Sequence, residues 1–155
     1  MYVNGAACLQ IPESQLRHPT VVRIEGFLHY PDGWSNGEGR RFAKQTVEVA
    51  LRLHRRLLQR GLMHTSASAG LDGEILVTAY LRDGQCVELF AEQDGRVTFA
   101  VARGPEYLRY EEDLDETEIS DRINAVGHGA CRSSESSTTQ STSISTRGAS
   151  RAQLS

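Results

Sequence analysis

The dipeptide Asp-Gly occurs at residues 72–73, 83–84 and 94–95, eleven residues apart each time. Few short sequences constrain a fold more, because Asp-Gly readily takes the positive-φ positions of tight hairpin turns, and an even spacing of such turns sets strands of like length running back and forth. The runs between them alternate accordingly. Ile75, Val77, Ala79 and Leu81 share one face, as do Val87, Leu89 and Ala91, then Val97, Phe99 and Val101; Glu74, Thr78, Glu88, Glu92, Arg96 and Thr98 take the other. This predicts an antiparallel meander with one face on a core and one largely in water. Leu76, Tyr80 and Phe90 depart from the alternation, being apolar or aromatic on the wet face. Either the N-terminal segment covers them or they form a patch for a partner, a second copy of the chain included.

Before the meander the period changes. Residues 41–60 carry neither Gly nor Pro, and Ala43, Val47, Ala50, His54 and Leu57 recur at helical spacing, with Leu51 and Leu58 widening the stripe. That is an amphipathic helix laid on a sheet, closed by Gly61 where a helix end favours positive φ. Residues 20–30 are rich in β-branched and aromatic side chains and bounded by Pro19 and Pro31, so they read as a strand bent at Gly26. Residues 31–41, with Gly33, Gly37 and Gly39 around Trp34, read as a loop. Their spacing matches neither the dinucleotide nor the P-loop pattern, so no phosphate cradle is expected there. Further on, residues 105–110 read as a short strand, and the acidic run after them opens a short helix. Asp115 and Glu118 have the spacing of an N-terminal cap, and Ile119, Ile123 and Val126 form the apolar stripe. The fold class is therefore α+β: a strand, a long loop, an amphipathic helix packed on a three- to four-stranded antiparallel meander, and a short acidic helix. The pairing of the N-terminal strand is open.

Composition sets the limits of the domain. Ser and Thr make up 13 of the 24 residues 132–155, which leaves too little apolar surface to offset ordering entropy. A single domain is expected over residues 1–126, followed by a disordered tail over 127–155. Residues 1–126 hold 14 Lys and Arg against 19 Asp and Glu, a charge of −5 with His neutral, which disfavours direct nucleic-acid binding. Cys8, Cys86 and Cys131 are too few and too scattered for a disulfide framework. No apolar run approaches the roughly 20 residues of a membrane span, and no signal-peptide pattern opens the chain. A soluble cytoplasmic protein with reduced thiols is expected.

No constellation announces a reaction. His54 lies on the apolar stripe of its helix, where a general base would need an orienting carboxylate that the neighbouring sequence does not place; a core histidine is the simpler reading. His128 and Cys131 have the spacing of half a zinc site, but no second pair completes four ligands. No catalytic residue, metal site or cofactor is expected. Charge is the least ordinary feature: residues 40–60 hold seven Lys or Arg and one acid, and residues 111–121 seven acids and no base. Solvated faces that neutralise each other within the fold produce such a pattern. Electrostatic docking of a basic protein partner is the functional alternative, with Glu111, Glu112, Asp113, Asp115 and Glu116 as contacts and Tyr80 and Phe90 as apolar anchors.

The segments DGEILVTAYL and EQDGRVTF, two strands each opened by Asp-Gly behind a helix, resemble a small, largely uncharacterised class of bacterial proteins over about half the chain, residues 43–110. Members of that class tend to be encoded beside mobile-element, defence or toxin–antitoxin genes, so the resemblance implies an accessory or antitoxin-like role and no particular activity. The expectation is a non-enzymatic interaction protein. Two alternatives stand beside it. A ribonuclease resembling the RelE toxins uses a similar skeleton but needs a basic RNA surface, whereas only Arg82, Arg96, Arg103 and Arg109 lie on or beside this meander. An inhibitor imitating nucleic acid would use the acidic segment to block a nuclease.

Overall fold

The three Asp-Gly turns lie where their spacing puts them, but a computed structural model, which describes residues 17–129, shows five strands around them. Strands β1 (Thr65–Ala69), β2 (Ile75–Tyr80), β3 (Gln85–Ala91), β4 (Val97–Arg103) and β5 (Glu106–Leu114) form one antiparallel sheet in the order β1-β2-β3-β4-β5. Each strand pairs with its neighbour in sequence, so every connection is a hairpin. Between β2 and β3 both Asp83 and Gly84 sit at φ 69°, the paired positive values that Asp-Gly accepts with least strain.

Helices α1 (Pro19–Gly26), α2 (Lys44–Gln59) and α3 (Glu116–Gly129) complete the α+β fold. Helix α1 lies against β1 and α2, α2 over β2 and β3, and α3 against β4 and α2. The inner sheet face meets them with the expected residues: Ile75, Val77, Ala79, Val87, Leu89, Ala91, Val97 and Phe99 are all buried. Helix α2 buries Val47, Val49, Ala50, Leu53, His54 and Leu57, a wider arc than a single stripe, because it has a helix on each side as well as the sheet beneath. Ala43, expected on that face, is instead the exposed N-cap residue. Gly61 ends the helix at φ 77°.

The strand expected over residues 20–30 is a helix. Pro19 occupies the first helical turn, where a missing N–H costs nothing, and His18 Nδ1 accepts the N–H of Thr20 at 3.2 Å. Thr20, Ile24 and Phe27, at helical spacing, are buried on one stripe. Phe27–His29 add a turn of 3-10 helix. The β-branched composition that favours a strand is overridden by this period and by the Thr20 hydroxyl, which donates to the carbonyl of Thr65 at 3.0 Å and ties α1 to β1.

The glycine-containing loop after α1 is knitted together. Asp32 Oδ1 accepts from Arg41 N–H at 2.8 Å, Gly33 N–H donates to Gly39 at 2.7 Å, and Ser35 bridges Glu38. Trp34 stacks near Tyr30 and Phe42, with ring centroids 5.1 and 6.1 Å away, and Phe42 in turn meets the buried Phe27. The loop thus closes over an aromatic extension of the core.

At the other end, β5 runs to Leu114, so Glu111, Glu112 and Asp113 are strand residues and not the start of a helix. Helix α3 begins after Asp115 and continues through Gly129, three residues past the expected domain boundary. Ile119 and Ile123 are buried as its stripe requires. Cys8, in residues 1–16, and residues 130–155, which include Cys131 and all but the first three residues of the expected disordered tail, lie outside the described residues. No helix among those described is long and apolar enough to cross a membrane.

Gly39 has φ 92°, and a Cβ there would stand 2.5 Å from Trp34 Nε1; Gly37 has φ 90° and open space around it. Gly37→Ala is expected to cost about 1 kcal/mol from backbone strain, and Gly39→Ala about 3 kcal/mol because the indole must also move. Equal losses on urea unfolding would show that Trp34 does not pin the loop.

Candidate functional site

The sheet face turned away from the helices carries the unusual surface. Cross-strand register places Leu76, Phe90 and Thr98 in one row, Thr78, Glu88, Ala100 and Tyr110 in the next, and Tyr80, Cys86, Ala102 and Tyr107 in a third. Tyr107 and Tyr110 are three residues apart, a spacing that puts side chains on opposite faces of a regular strand. Here Arg109 pairs with Val101 but Tyr107 with Ala102, so Leu108 is an extra residue, and this bulge returns both tyrosines to the same side. Their rings lie 5.4 Å apart. Tyr80, Tyr107 and Tyr110 are 55%, 54% and 50% exposed, while Ala100 and Ala102 beside them are buried.

Each tyrosine has a polar neighbour. The Tyr80 hydroxyl lies 3.1 Å from Ser66 Oγ, and Tyr110 donates to Glu112 Oε1 at 2.9 Å. That bond holds the Tyr110 phenol above its usual pKa, and the charge of Glu88 does the same for Tyr107. Both remain neutral donors at physiological pH. Cys86 Sγ lies 3.8 Å from Glu88, and burial followed by the Glu88 charge pushes its thiol up. Just past the end of β3, burial raises the Glu92 carboxyl, partly offset by a hydrogen bond from Thr98 at 3.2 Å. Among the described residues no Lys, Arg or His forms an ion pair with Glu88, Glu92 or Glu112.

The expected contact residues divide between two sides. Tyr80, Phe90 and Glu112 share the outer face. Glu111 points to the helix side, where Arg122 Nε donates at 2.8 Å and Arg109 closes on it from β5; the Arg122 bond, foremost, holds its carboxyl below the usual range. Asp113, at φ 58°, occupies a second bulge, with Arg96 at 3.9 Å. Asp115 caps α3, accepting from Thr117 and Glu118 N–H at 2.8 and 2.9 Å, while the Asp115 N–H donates to Glu118 Oε2. Glu116 reaches α2: Arg52 Nε donates to it at 2.8 Å and Arg56 Nη2 at 3.2 Å. The opposed charges of residues 40–60 and 111–121 therefore meet in part inside the fold.

Nothing in the sequence pattern marks Tyr107, Tyr110 or Glu88 as contacts. A period-two pattern splits the two tyrosines between faces, and only the bulge, which carries no Gly or Pro as a marker, unites them.

His54 is a core residue. It is 1% exposed, its Nε2 lies 2.9 Å from Thr65 Oγ1, and the His18 ring sits 4.7 Å away; burial, then the neighbouring His18, lower its pKa to about 4. Among the described residues no carboxylate orients it. Among the described residues no group of three His, Cys, Asp or Glu could hold a metal ion.

No family model, curated protein or solved structure matches the chain, so function is argued from this geometry.

Two outcomes follow from these placements. Glu116→Gln should destabilise the protein by about 1 kcal/mol, since it leaves Arg52 and Arg56 without their carboxylate, while Glu112→Gln should change stability by less than about 0.5 kcal/mol; denaturant midpoints compare them. For His54 the unfolded chain takes a proton near pH 6.5 and the folded one only near pH 4. The stability linked to this group is full above pH 6.5 and is lost as the pH falls towards 4, by about 2 kcal/mol between pH 7 and 5. His54→Gln should flatten that span, and an unchanged slope would refute the assignment.

Proposed function

We propose that this protein is a non-enzymatic docking module that binds a basic protein partner on the outer face of its sheet. Tyr80, Phe90, Tyr107 and Tyr110 supply the apolar and aromatic area, and Glu88 and Glu112 the charge. One observation carries the reading. Of the expected contact acids, Glu111 and Glu116 on the helix side each have arginine partners, whereas Glu112, with Glu88 and Glu92 beside it on the outer face, has none among the described residues. Exposed tyrosine faces bordered by unpaired carboxylates suit Arg and Lys side chains, which stack on the rings and pair at their edges. Aromatic residues of this kind are also the usual anchors of protein interfaces.

The same surface disfavours self-association and RNA binding. Two copies meeting through it would set acid against acid, and RNA would meet carboxylates where phosphates need cations. Glu111, Asp115 and Glu116 serve the module by holding β5 and α3 in place, and Glu112 is the member of the acidic segment that faces the partner.

The test is affinity capture of the full chain from its own host, followed by titration of the identified partner with the Glu88→Gln/Glu112→Gln double variant. The expected result is a stoichiometric basic protein, bound at least tenfold more weakly by the double variant and progressively released by salt, with unchanged binding to Glu116→Gln. Recovered RNA with cleaved ends, or a partner indifferent to the double variant, would overturn the reading.

A further inference from the structure

On the helix side, the end of α2 and the facing turns of α3 border an open cleft of about 300 Å³ lined by Arg56, Gln59, Arg60, Ser120, Ile123 and Asn124. That volume lies at the lower end of small-molecule sites, and the lining contains two guanidinium groups and no carboxylate. Arg56 is already oriented: Nη1 donates to the Glu116 backbone oxygen at 2.8 Å and Nη2 to its carboxylate at 3.2 Å, which uses one N–H of each nitrogen. One turn later, the side chains of Arg60 and Gln59 have no hydrogen-bond or ion-pair partner among the described residues. Of the carbonyls in the last turn of α2, which would repel an anion, those of Arg56, Leu57 and Leu58 accept from the N–H groups of Arg60, Gly61 and Leu62. Ser120 is tied by its hydroxyl to the Glu116 carbonyl at 2.8 Å, and Ile123 is 1% exposed beneath.

We propose that this cleft binds a small phosphate monoester, its oxygens held by Arg56, Arg60 and the Gln59 amide and its organic part resting towards Ile123. The forked donors of two arginines one turn apart match the oxygens of a phosphate better than single point charges would. This site is independent of the outer sheet face.

The test titrates glycerol 3-phosphate and inorganic phosphate into the full chain in low-salt, phosphate-free buffer at pH 7.5, followed by calorimetry and by the side-chain amide NMR signals of Gln59 and Asn124. Arg60→Gln is compared with Arg55→Gln, an exposed position on the same helix outside the cleft that loses the same charge. The expected result is saturable glycerol 3-phosphate binding that moves both amide signals, weakens at least tenfold in Arg60→Gln and stays within twofold in Arg55→Gln. Arg60→Lys, which keeps the charge without the fork, should fall between them and serves if Arg60→Gln melts early. Equal weakening in Arg60→Gln and Arg55→Gln would reduce the effect to diffuse charge and overturn the site. So would the absence of saturation, and inorganic phosphate binding as tightly as the ester would overturn the monoester assignment.

Discussion

Burial of α2 on β2 and β3 is the contact from which the rest of the structure follows. Val47, Leu53 and Leu57 are 3% exposed or less, as are Ile75, Val77 and Leu89 on the sheet face of the core. At roughly 2 kcal/mol for each fully buried side chain of this size, that seam outweighs any ion pair in the molecule. It also decides which side of the sheet is inner, so α1 and α3 must flank α2 to cover β1 and β4. The outer face is left with what alternates against the core: threonines, glutamates, two alanines and the aromatic residues. A protein of this size has only one such face to give.

How much of this is legible in the chain depends on whether a signal is local. Asp-Gly turns and the alternation after them are local, and they place β2, β3 and β4 with their inward residues. The period of α2 is local too, as is the pairing of Asp115 with Glu118 at the start of α3. Strand β1, TSASA, has no such signal: its small side chains carry neither a hydrophobic period nor strong strand propensity, and it pairs because the Asp72-Gly73 turn folds it back on β2. Helix α1 is the opposite case, a stretch whose Val, Ile, Phe and Tyr content favours a strand while its spacing buries a helical stripe. There tertiary contact prevails over propensity, through Ile24 and Phe27 in the core and Thr20 on β1.

The candidate sites were less legible, because each depends on which acid meets which base in space. Glu111, Glu112 and Glu116 are indistinguishable as letters in an acidic run, yet one answers Arg122, one lies beside Tyr110, and one bridges Arg52 and Arg56 on another helix. Charge segregation along the chain is thus partly an internal fastening, and the charges it leaves without an ion pair lie on both sides of the sheet. On the outer face they include Glu88, Glu92 and Glu112, and in the helical layer Arg60.

Strand β5 is the last of the sheet, and an open edge of nine residues is long enough to recruit another chain by backbone pairing. Its two irregularities, at Leu108 and Asp113, interrupt the run of evenly spaced donors and acceptors, so that no more than a few consecutive residues present a regular ladder. Arg109 and Glu111 add charge along the same border. A strand built this way resists fibre-like stacking and discourages a visitor from lengthening the sheet. Along this border an approaching chain meets side chains before it meets a regular row of peptide groups.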